Sequence, residues 1–184
     1  MAEEKDFEYV RRFINGDEMA FNLLVQKYQQ KIYWHARRML GNHMDADEVT
    51  QEVLIVLYTK LKSFNFKSSL FTWIYRITAT RSINHLNKRK VKRFLFLEDS
   101  DYDTLRDSGD IVEDIENKEK INKLDRVLEY LPVKQREVFV LRNYDELSYE
   151  EISKITGRSV GGLKANYFHA LKKVTERMEK NENE

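Results

Sequence analysis

Two groups of side chains in this sequence could do chemistry, and the first is a run of acids. The stretch HMDADEVTQE holds five potential ligands of a divalent cation, namely His43, Asp45, Asp47, Glu48 and Glu52. Carboxylates gathered on such a cation can activate water for phosphodiester cleavage, which makes a nuclease one reading. The other reading is the start of a helix, where the helix dipole favours acidic side chains. No second convergent acidic cluster is apparent and the four histidines are scattered, so we favour the helix and expect no metal site, cofactor or small-molecule substrate.

The second group is an aromatic ring among cationic, hydroxyl and amide side chains. On a helix of about 100° per residue, residues 69–90 place an apolar side opposite a polar one. The polar side, here called the tryptophan stripe, consists of Trp73, Arg76, Thr80, Asn84, Asn87 and Lys88, with Arg81 at its edge. Cations suit phosphates, amides suit base edges and a ring can stack on an unpaired base, so the stripe predicts binding of single-stranded or distorted DNA. Trp73 could instead pack under the neighbouring FNFK loop, and both roles could hold at once.

A helix-turn-helix pattern lies near the C-terminus, in LSYEEISKITGRSVGGLKANYFHALKKV. Ser148 and Glu151 can form a capping box at the start of its first helix, and Gly157 can end that helix. Ser159 can then cap the second helix. In this motif the second helix enters the major groove of DNA.

The second helix of the motif has one aromatic residue opposite its apolar side. We expect the apolar side to consist of Val160, Leu163, Tyr167, Ala170, Leu171, Val174 and Met178. The opposite side, here called the Phe168 face, consists of Phe168, Lys164, Ala165, His169 and Lys172, beside Gly161. An exposed phenylalanine can contact thymine methyl groups, while lysines reach phosphates. The alternative is a plain three-helix bundle in which a neighbouring element covers Phe168.

Helices must position both DNA-binding candidates, and caps predict where these helices begin and end. Asp17 can cap an N-terminal helix with a regular apolar stripe, and Gly41 can end it. The helix of the tryptophan stripe begins near Ser68 or Ser69 and continues to about Lys90.

Between these two helices lies the helix of the acidic stretch. Asn42 or Asp45 can cap it, which places Asp47 and Glu48 in its first turn. Val49, Val53, Val56, Leu57 and Leu61 form its apolar stripe.

The composition predicts an all-α protein. The chain of 184 residues has one proline and six glycines, too few for a sheet protein with many tight turns. Phe94 to Asp110 has no sustained hydrophobic period and carries many acids, which indicates a linker. We therefore expect two small helical domains, residues 1–93 and 116–184, joined by an acidic linker at residues 94–115, and the C-terminal domain contains the helix-turn-helix.

The net charge of +1 hides a strong segregation along the chain. Residues 76–93 contain seven basic residues and no acid, and residues 98–119 contain ten acids against two bases. Residues 158–180 are basic again. The absence of cysteine excludes disulfides and thiol chemistry. The acidic N-terminus lacks an apolar signal core and no apolar run is long enough for a membrane span, so we expect a cytoplasmic protein without membrane insertion.

Two blocks of the sequence resemble the bacterial extracytoplasmic-function (ECF) RNA polymerase sigma factors. DEMAFNLLVQKY, DADEVTQEVLIVLY and FTWIYRITATRSINHL are similar to region two of that family. LPVKQREVFVLRNYDELSYEEISKITGRSVGGLKANYFHALKK is similar to region four. The two blocks occur in the family's order with a short linker between them. The resemblance implies a non-enzymatic subunit that binds core RNA polymerase, directs it to specific promoters and helps to nucleate promoter opening.

The resemblance also implies roles for particular residues. Region two reads the minus-ten promoter element as single strand, which assigns this role to Trp73, Arg76, Thr80, Arg81, Asn84 and Lys88, with the FNFKSS loop accepting a flipped base. Region four reads the minus-thirty-five element, which assigns Lys164, Ala165, Asn166, Phe168, His169 and Lys172. The face that docks on the polymerase clamp, here called the acidic face, corresponds to Asp47, Glu48, Gln51 and Glu52. Family members are usually held inactive by an anti-sigma protein, so such a partner is expected too.

The second helix of the helix-turn-helix departs from the family pattern. Members commonly have G-T-V-K-S-R-L-x-R-A, where this chain has GGLKANYFHA. Gly162, Ala165, Asn166 and His169 replace Thr, Ser, Arg and Arg, which removes two donors for phosphate or bases. We expect an unusual promoter preference or weaker binding by this domain alone.

A stand-alone helix-turn-helix transcription regulator is the alternative function. It needs only the C-terminal half, and it gives no role to the tryptophan stripe or the acidic face. Strong duplex binding by the free protein would favour it.

Overall fold

The computed structural model describes residues 2–95 and 126–180, and the regular elements in those ranges are helices. The predicted all-α fold is confirmed. The predicted linker lies outside the described residues from position 96 onward, and so do residues 116–125 of the predicted C-terminal domain. In the described part of the chain, no helix is both long enough and apolar enough to cross a membrane.

Residues 2–95 form four α-helices in sequence. They are α1 (Ala2–Ile14), α2 (Glu18–Leu40), α3 (His43–Lys60) and α4 (Leu70–Leu95), with a 3₁₀ turn at Leu61–Ser63 after α3. The second described range starts with helical residues 126–129. It continues with α5 (Val133–Asn143), α6 (Tyr149–Thr156) and α7 (Val160–Lys180).

Helix α1 was not predicted from the sequence. Its buried side chains recur at helical spacing, since Asp6, Val10 and Phe13 all face the core. The Asp6 carboxylate accepts a hydrogen bond from the Tyr28 hydroxyl at 2.6 Å and pairs with Lys27 of α2 at 2.5 Å. Burial, followed by the bond to Asp6, raises the pKa of Tyr28 far above its ordinary value. The Tyr28 hydroxyl therefore stays protonated and ties α1 to α2.

The predicted caps of α2 and α3 are found in the structure. Asp17 accepts a hydrogen bond from the Met19 N–H at 3.0 Å, and Gly41 ends α2 with φ of 87°. Such a left-handed conformation costs glycine little. Asn42, rather than Asp45, caps α3.

Two predicted details of these helices were wrong. Asp47 and Glu48 do not lie in the first turn of α3, because the helix already begins at His43, so its first-turn acid is Asp45. Helix α4 also does not stop near Lys90 but continues through Leu95, and its last turn has exposed apolar residues instead of a stop signal. It thus extends two residues past position 93, the end that we predict for the N-terminal domain.

The two helical domains share buried surface. One apolar cluster runs from α1–α4 into the C-terminal domain through Leu128, Leu131, Phe139, Val140 and Ala170. A second cluster fills the helix-turn-helix with Val138, Leu141, Leu147, Ile152, Ile155 and Leu163, and Tyr75 of α4 belongs to it. The side of α4 that the sequence assigned to the core therefore packs against both domains.

The capping box of α6 predicts a stability that depends on pH. The Glu151 carboxylate accepts hydrogen bonds from the Ser148 backbone N–H at 2.8 Å and from its hydroxyl at 2.7 Å. The bond from the Ser148 side chain is the largest cause of a Glu151 pKa below the ordinary 4.5. A carboxyl group whose pKa is lower in the folded state stabilises the fold above its unfolded pKa, and this contribution is lost as the pH falls.

We expect Glu151→Ala to lower the free energy of unfolding by about 0.5 to 1 kcal/mol at pH 7, and by less below pH 4. Urea denaturation at both pH values measures this. Glu150→Ala is the control, because Glu150 is an exposed acid in the same helical turn. An equal, pH-independent effect of both variants would contradict the role given to the capping box.

Candidate nucleic-acid interface

The tryptophan stripe forms one side of α4, as its spacing predicted. Arg76, Thr80, Asn84 and Lys88 are exposed along almost four turns, and Trp73 is half-buried at its N-terminal end. The Thr80 hydroxyl donates to the Arg76 carbonyl at 2.7 Å, which leaves its oxygen able to accept a further hydrogen bond. The structure thus brings these side chains together on one accessible surface.

Trp73 belongs partly to the core and partly to the stripe. Its ring centroid lies 5.3 Å from that of Phe64 in the preceding loop, with the planes tilted by 56°. Phe64 in turn contacts Phe66 and Phe7, so an aromatic cluster supports one side of the indole. The two interpretations that the sequence left open for Trp73 are compatible in this geometry.

The loop beside Trp73 has an unusual backbone conformation. Phe66 has φ of 57°, a left-handed value that bulky residues rarely adopt. The Asn65 side chain accepts a hydrogen bond from the Lys67 N–H at 3.1 Å, and the Arg11 guanidinium lies 5.4 Å from the centre of the Phe66 ring. Strained backbone that the surroundings hold in place is often found at binding sites.

Two arginines of the stripe have partners inside the protein. The Arg76 guanidinium donates to the carbonyl of Lys154 in α6, across the boundary between the domains. Arg81 approaches Glu52 of α3 at 3.4 Å, which joins the tryptophan stripe to the acidic face. Beyond this pair an open groove of about 550 Å³ has a mainly basic and amide lining: Glu52, Arg81, Asn84, His85, Asn87, Lys88, Val91 and Lys92.

The Phe168 face is exposed on α7. Phe168 itself is 64% exposed. Its ring lies edge-on to the His169 ring, and the two ring centroids are 5.7 Å apart. No described element covers it, so the plain-bundle alternative does not apply to the described part of the chain. Ala165 and Lys172 are also exposed. Asn166 is half-buried, and its amide donates to the Gly162 carbonyl of the same helix at 2.8 Å.

One residue that the sequence assigns to the buried apolar side of α7 is exposed in the structure. Leu171 is exposed rather than buried, because it lies about 100° around the helix from buried Ala170. With Phe168, Lys172 and Thr175 it lines a shallow groove of about 310 Å³. The apolar surface beside Phe168 is therefore larger than the sequence indicated.

Tyr149, at the start of α6, lies between a cation of α5 and a cation of α7. Lys164 places its ammonium group 5.7 Å from the centre of the Tyr149 ring, and Arg142 approaches the same ring at 5.3 Å. Both residues are exposed, and the Arg142 guanidinium also donates to the Leu147 carbonyl at 2.8 Å. Tyr149 was not predicted as a site residue, although an aromatic residue after the capping serine was visible in the sequence.

The acidic face of α3 combines charge with apolar surface. Asp47, Glu48 and Gln51 are exposed, and Glu52 is half-buried. The same side of the helix exposes three apolar residues that sequence reasoning missed: Met44, Ile55 and Tyr58. A mixed patch of this kind is typical of a protein–protein interface.

Two of the acids that suggested a metal site, Asp45 and Glu52, are paired with other groups. The Asp45 carboxylate accepts a hydrogen bond from the Asn42 amide at 2.8 Å, and its oxygens lie 3.1 Å from Nε2 of His85 and 3.2 Å from Nη1 of Arg89. Burial opposes its charged form, but these partners outweigh burial and hold the pKa of Asp45 below its ordinary value. Asp45, Glu48 and His85 could each offer one ligand atom within 4.8 Å of the others. Asp47 and Glu52 are not part of that group.

Comparison with known protein families matches both halves of the chain. Residues 24–91 match the family model described as Sigma-70 region 2, and they include the acidic face and the tryptophan stripe. Residues 121–174 match Sigma-70, region 4, and they include the Phe168 face.

Curated relatives align with nearly the whole chain. The RNA polymerase sigma-H factor of Pseudomonas aeruginosa is 30% identical, over 95% of this chain and 94% of the relative. The ECF RNA polymerase sigma factor SigW of Bacillus subtilis is 33% identical, over 84% of this chain and 87% of SigW. The ECF RNA polymerase sigma-E factor of Escherichia coli K12 is 33% identical, over 92% of both chains.

Two solved structures share the fold of this chain. CnrH, in complex with the cytosolic domain of CnrY, superposes with a TM-score of 0.72 at 19% identity, covering 96% of this chain and 98% of CnrH. RpoE of Bartonella quintana, in complex with the anti-sigma factor NepR, superposes with a TM-score of 0.72 at 20% identity. The match covers 86% of this chain and 96% of RpoE.

Two isoleucines test which surfaces support the fold. Ile74, beside Trp73 on α4, is 1% exposed, whereas Ile55 on the acidic face of α3 is 64% exposed. We expect Ile74→Ala to cost about 2 to 5 kcal/mol of unfolding free energy, because it leaves a cavity. Ile55→Ala should change it by less than about 0.5 kcal/mol. Chemical denaturation of both variants measures the difference, and equal costs would show that Ile55 has a structural role.

Proposed function

The chain belongs to the extracytoplasmic-function RNA polymerase sigma factors, and we propose that it binds core RNA polymerase, directs it to specific promoters and helps to nucleate promoter opening. One observation carries the proposal: a single chain combines an exposed stripe for unpaired bases on α4 with an exposed apolar and basic face on the second helix of a helix-turn-helix.

We assign recognition of the minus-ten element to the tryptophan stripe. Arg76, Arg81 and Lys88 contact phosphates, and Thr80 and Asn84 contact base edges. Trp73 stacks on an unpaired base with the ring side that Phe64 does not cover. The strained loop at Phe66 lies beside this ring and is suited to receive a flipped base.

We assign recognition of the minus-thirty-five element to the Phe168 face. Phe168 contacts thymine methyl groups, and Lys164 and Lys172 contact phosphates. His169 and Ala165 lie next to them and set the fit to base edges. Asn166 contributes less, since its amide already bonds to Gly162.

We assign docking on core polymerase to the acidic face. Asp47, Glu48, Gln51 and Glu52 complement a basic partner surface, and Ile55 adds apolar contact. Charge complementarity favours fast and specific encounter, while buried apolar contacts slow dissociation.

The energetics of promoter opening require the polymerase as a partner. Stacking in a DNA duplex is worth about 1.4 kcal/mol per base-pair step, so a bubble of several steps costs many kcal/mol. One base on an aromatic ring returns only about 1 to 3 kcal/mol. Captured bases therefore nucleate opening, and the holoenzyme supplies the remaining contacts.

Several finer assignments follow from this role. We propose that the protein has no catalytic activity and acts in the cytoplasm, where bacterial polymerase and promoters meet. We propose residues 1–93 and 116–184 as the two functional domains, with residues 94–115 as the linker. We also propose an anti-sigma partner, supported by the CnrH and RpoE structures, which were both solved in complex with another protein.

A stand-alone DNA-binding regulator remains the second candidate. The exposed Phe168 face supports a stand-alone regulator as strongly as it supports a sigma factor. It gives no role, however, to the exposed apolar residues on the acidic face or to the tryptophan stripe.

Transcription in vitro with bacterial core polymerase and a randomised promoter library tests the main proposal. We expect promoter-dependent initiation only when this protein is added, with selected sequences at both elements. Trp73→Ala should reduce open-complex formation about tenfold or more, because one stacked base is lost, while polymerase binding is unchanged. The matched control Phe168→Ala should instead alter selection at the minus-thirty-five element. Absence of initiation with active core, together with tight duplex binding by the free protein, would favour the regulator.

Binding to core polymerase tests the acidic face separately. Ile55→Ala and Glu48→Lys should each weaken the complex by about tenfold, since one removes apolar contact and the other reverses a charge at the interface. Surface-immobilised core and purified variants give the dissociation constants. Glu150→Lys, an exposed charge reversal on α6, is the control. Wild-type affinity in both acidic-face variants would place the polymerase contact elsewhere.

A further inference from the structure

Helix α1 lies outside both parts of the chain that match known families. The match to Sigma-70 region 2 begins at residue 24, whereas α1 ends at Ile14. The helix packs against α2 and against the 3₁₀ turn at Leu61–Ser63, close to the loop beside Trp73. The assignments made above give α1 no role in binding DNA.

One side of α1 contacts the loop that we propose as the receptor of a flipped base. Phe7 lies edge-on to the Phe66 ring, with the ring centroids 5.3 Å apart, and its ring centroid is 6.1 Å from that of Phe64. Arg11 follows one turn later on the same side of α1, and its guanidinium lies 5.4 Å from the centre of the Phe66 ring. A ring and a cation of α1 thus support the left-handed residue of the loop.

Ring contacts connect Arg11 to the tryptophan stripe. The Phe66 ring centroid lies 5.0 Å from that of Phe64, which lies 5.3 Å from that of Trp73. Arg11 is therefore within the span of a few nucleotides from a base that stacks on Trp73. A DNA strand carries one negative phosphate per nucleotide, so the backbone of the bound strand comes close to this cation.

The Arg11 guanidinium is available to bind such a phosphate. Arg11 is exposed, and within residues 2–95 and 126–180 its guanidinium contacts the Phe66 ring but pairs with no carboxylate or carbonyl group. Stacking on a ring uses the flat face of the guanidinium and leaves the N–H donors at its edge accessible. The neighbouring Arg12 differs, because its guanidinium pairs with Asp17 at 2.8 Å and with Glu8 at 3.9 Å.

The two arginines of the tryptophan stripe are less available than Arg11. Arg76 donates to the Lys154 carbonyl, and Arg81 lies 3.4 Å from Glu52. Each of them must give up a protein partner before it binds a phosphate, whereas the donors of Arg11 give up only water. A guanidinium also matches a phosphate well, because two parallel N–H groups can donate to two of its oxygens.

We propose that Arg11 binds a backbone phosphate of the unpaired minus-ten strand, and that its stacking on Phe66 positions the guanidinium beside the base-receiving loop. Helix α1 is then part of the DNA-binding surface. The proposal rests on the proposed function, because it concerns the strand that a sigma factor holds in an open promoter. It assigns no sequence preference to Arg11, since a phosphate contact carries no sequence information.

A purely structural role for Arg11 leads to a different result. If the cation only supports the Phe66 ring, its loss weakens DNA binding indirectly and leaves the salt dependence of binding unchanged. A phosphate contact instead releases bound counterions. Its loss should lower the slope of log affinity against log salt concentration by about 0.7 for a single strand. The slope therefore separates the two roles.

Binding of the holoenzyme to premelted DNA measures this slope. The probe is selected by the wild-type holoenzyme from a pool of duplexes whose central segment is random in sequence and kept unpaired by mismatches. Fluorescence anisotropy gives the affinity between about 50 and 200 mM salt. We expect Arg11→Gln to weaken binding about threefold to tenfold at low salt and to lower the slope by about 0.7. Arg11→Lys should keep the slope, because it keeps the charge.

Arg12→Gln is the matched control. It removes the same charge from the adjacent position of α1, but that charge is already paired with Asp17. We expect the affinity and the slope of the wild-type protein. Circular dichroism of Arg11→Gln and Arg12→Gln checks that both variants keep the native helical fold.

Neutral methylphosphonate linkages locate the phosphate. They replace one phosphate at a time along the unpaired strand of the selected probe. At one linkage, or at two adjacent ones, the replacement should weaken binding of the wild-type protein about as much as Arg11→Gln does. The same replacement should have no further effect on Arg11→Gln, because the two changes remove one contact.

An unchanged slope in Arg11→Gln, together with additive effects at every linkage, overturns the phosphate contact. The wild-type protein tests the proposed function on the same DNA pool. If its holoenzyme enriches no sequence over core polymerase alone, the proposed function fails and the Arg11 contact fails with it. If the holoenzyme selects a probe and Trp73→Ala weakens binding, but Arg11→Gln keeps the wild-type slope, the Arg11 contact fails and the proposed function stands.

Discussion

Helix α4 packs against two cores at once and exposes its remaining side to solvent, and the rest of the structure depends on this constraint. Ile74 packs into the core of its own domain, and Tyr75 packs into the core of the other. Only the remaining side of the helix is free to carry Trp73, Arg76, Thr80 and Asn84 towards solvent. A helix with two buried sides has a fixed orientation, so the polar stripe is presented in a fixed direction.

Much of this arrangement could be predicted from the sequence, because local rules determine it. Helical spacing separated buried Ile74 from the polar stripe, and cap chemistry placed Asp17, Gly41 and Gly157 at helix ends. The exposure of Phe168 followed from its position opposite the apolar residues of α7. These features depend on residues within a few turns of each other.

Features that depend on distant residues could not be predicted in this way. Nothing near Asp145 in the sequence indicates that His35 and Tyr75 will meet it. Leu171 was wrongly assigned to the buried side of α7. Periodicity gives the angular position of a residue on its helix, but it does not show how wide a sector of that helix the neighbouring elements cover. Helix α1 could not be predicted in this way either, because charged side chains make up much of the segment and few apolar residues mark its buried side. The residues assigned to DNA and polymerase stay predictions.

The left-handed backbone at Phe66 has a consequence for how the loop meets a ligand. A bulky residue in this conformation is disfavoured by about 1 to 3 kcal/mol, and ring contacts with Phe7 and Phe64 offset that penalty during folding. The loop is therefore ordered before any ligand arrives. A mobile loop would lose chain entropy on binding a ligand, but this loop has already lost that entropy during folding. Less of the contact energy with the ligand is therefore spent on ordering the loop, and the affinity is higher.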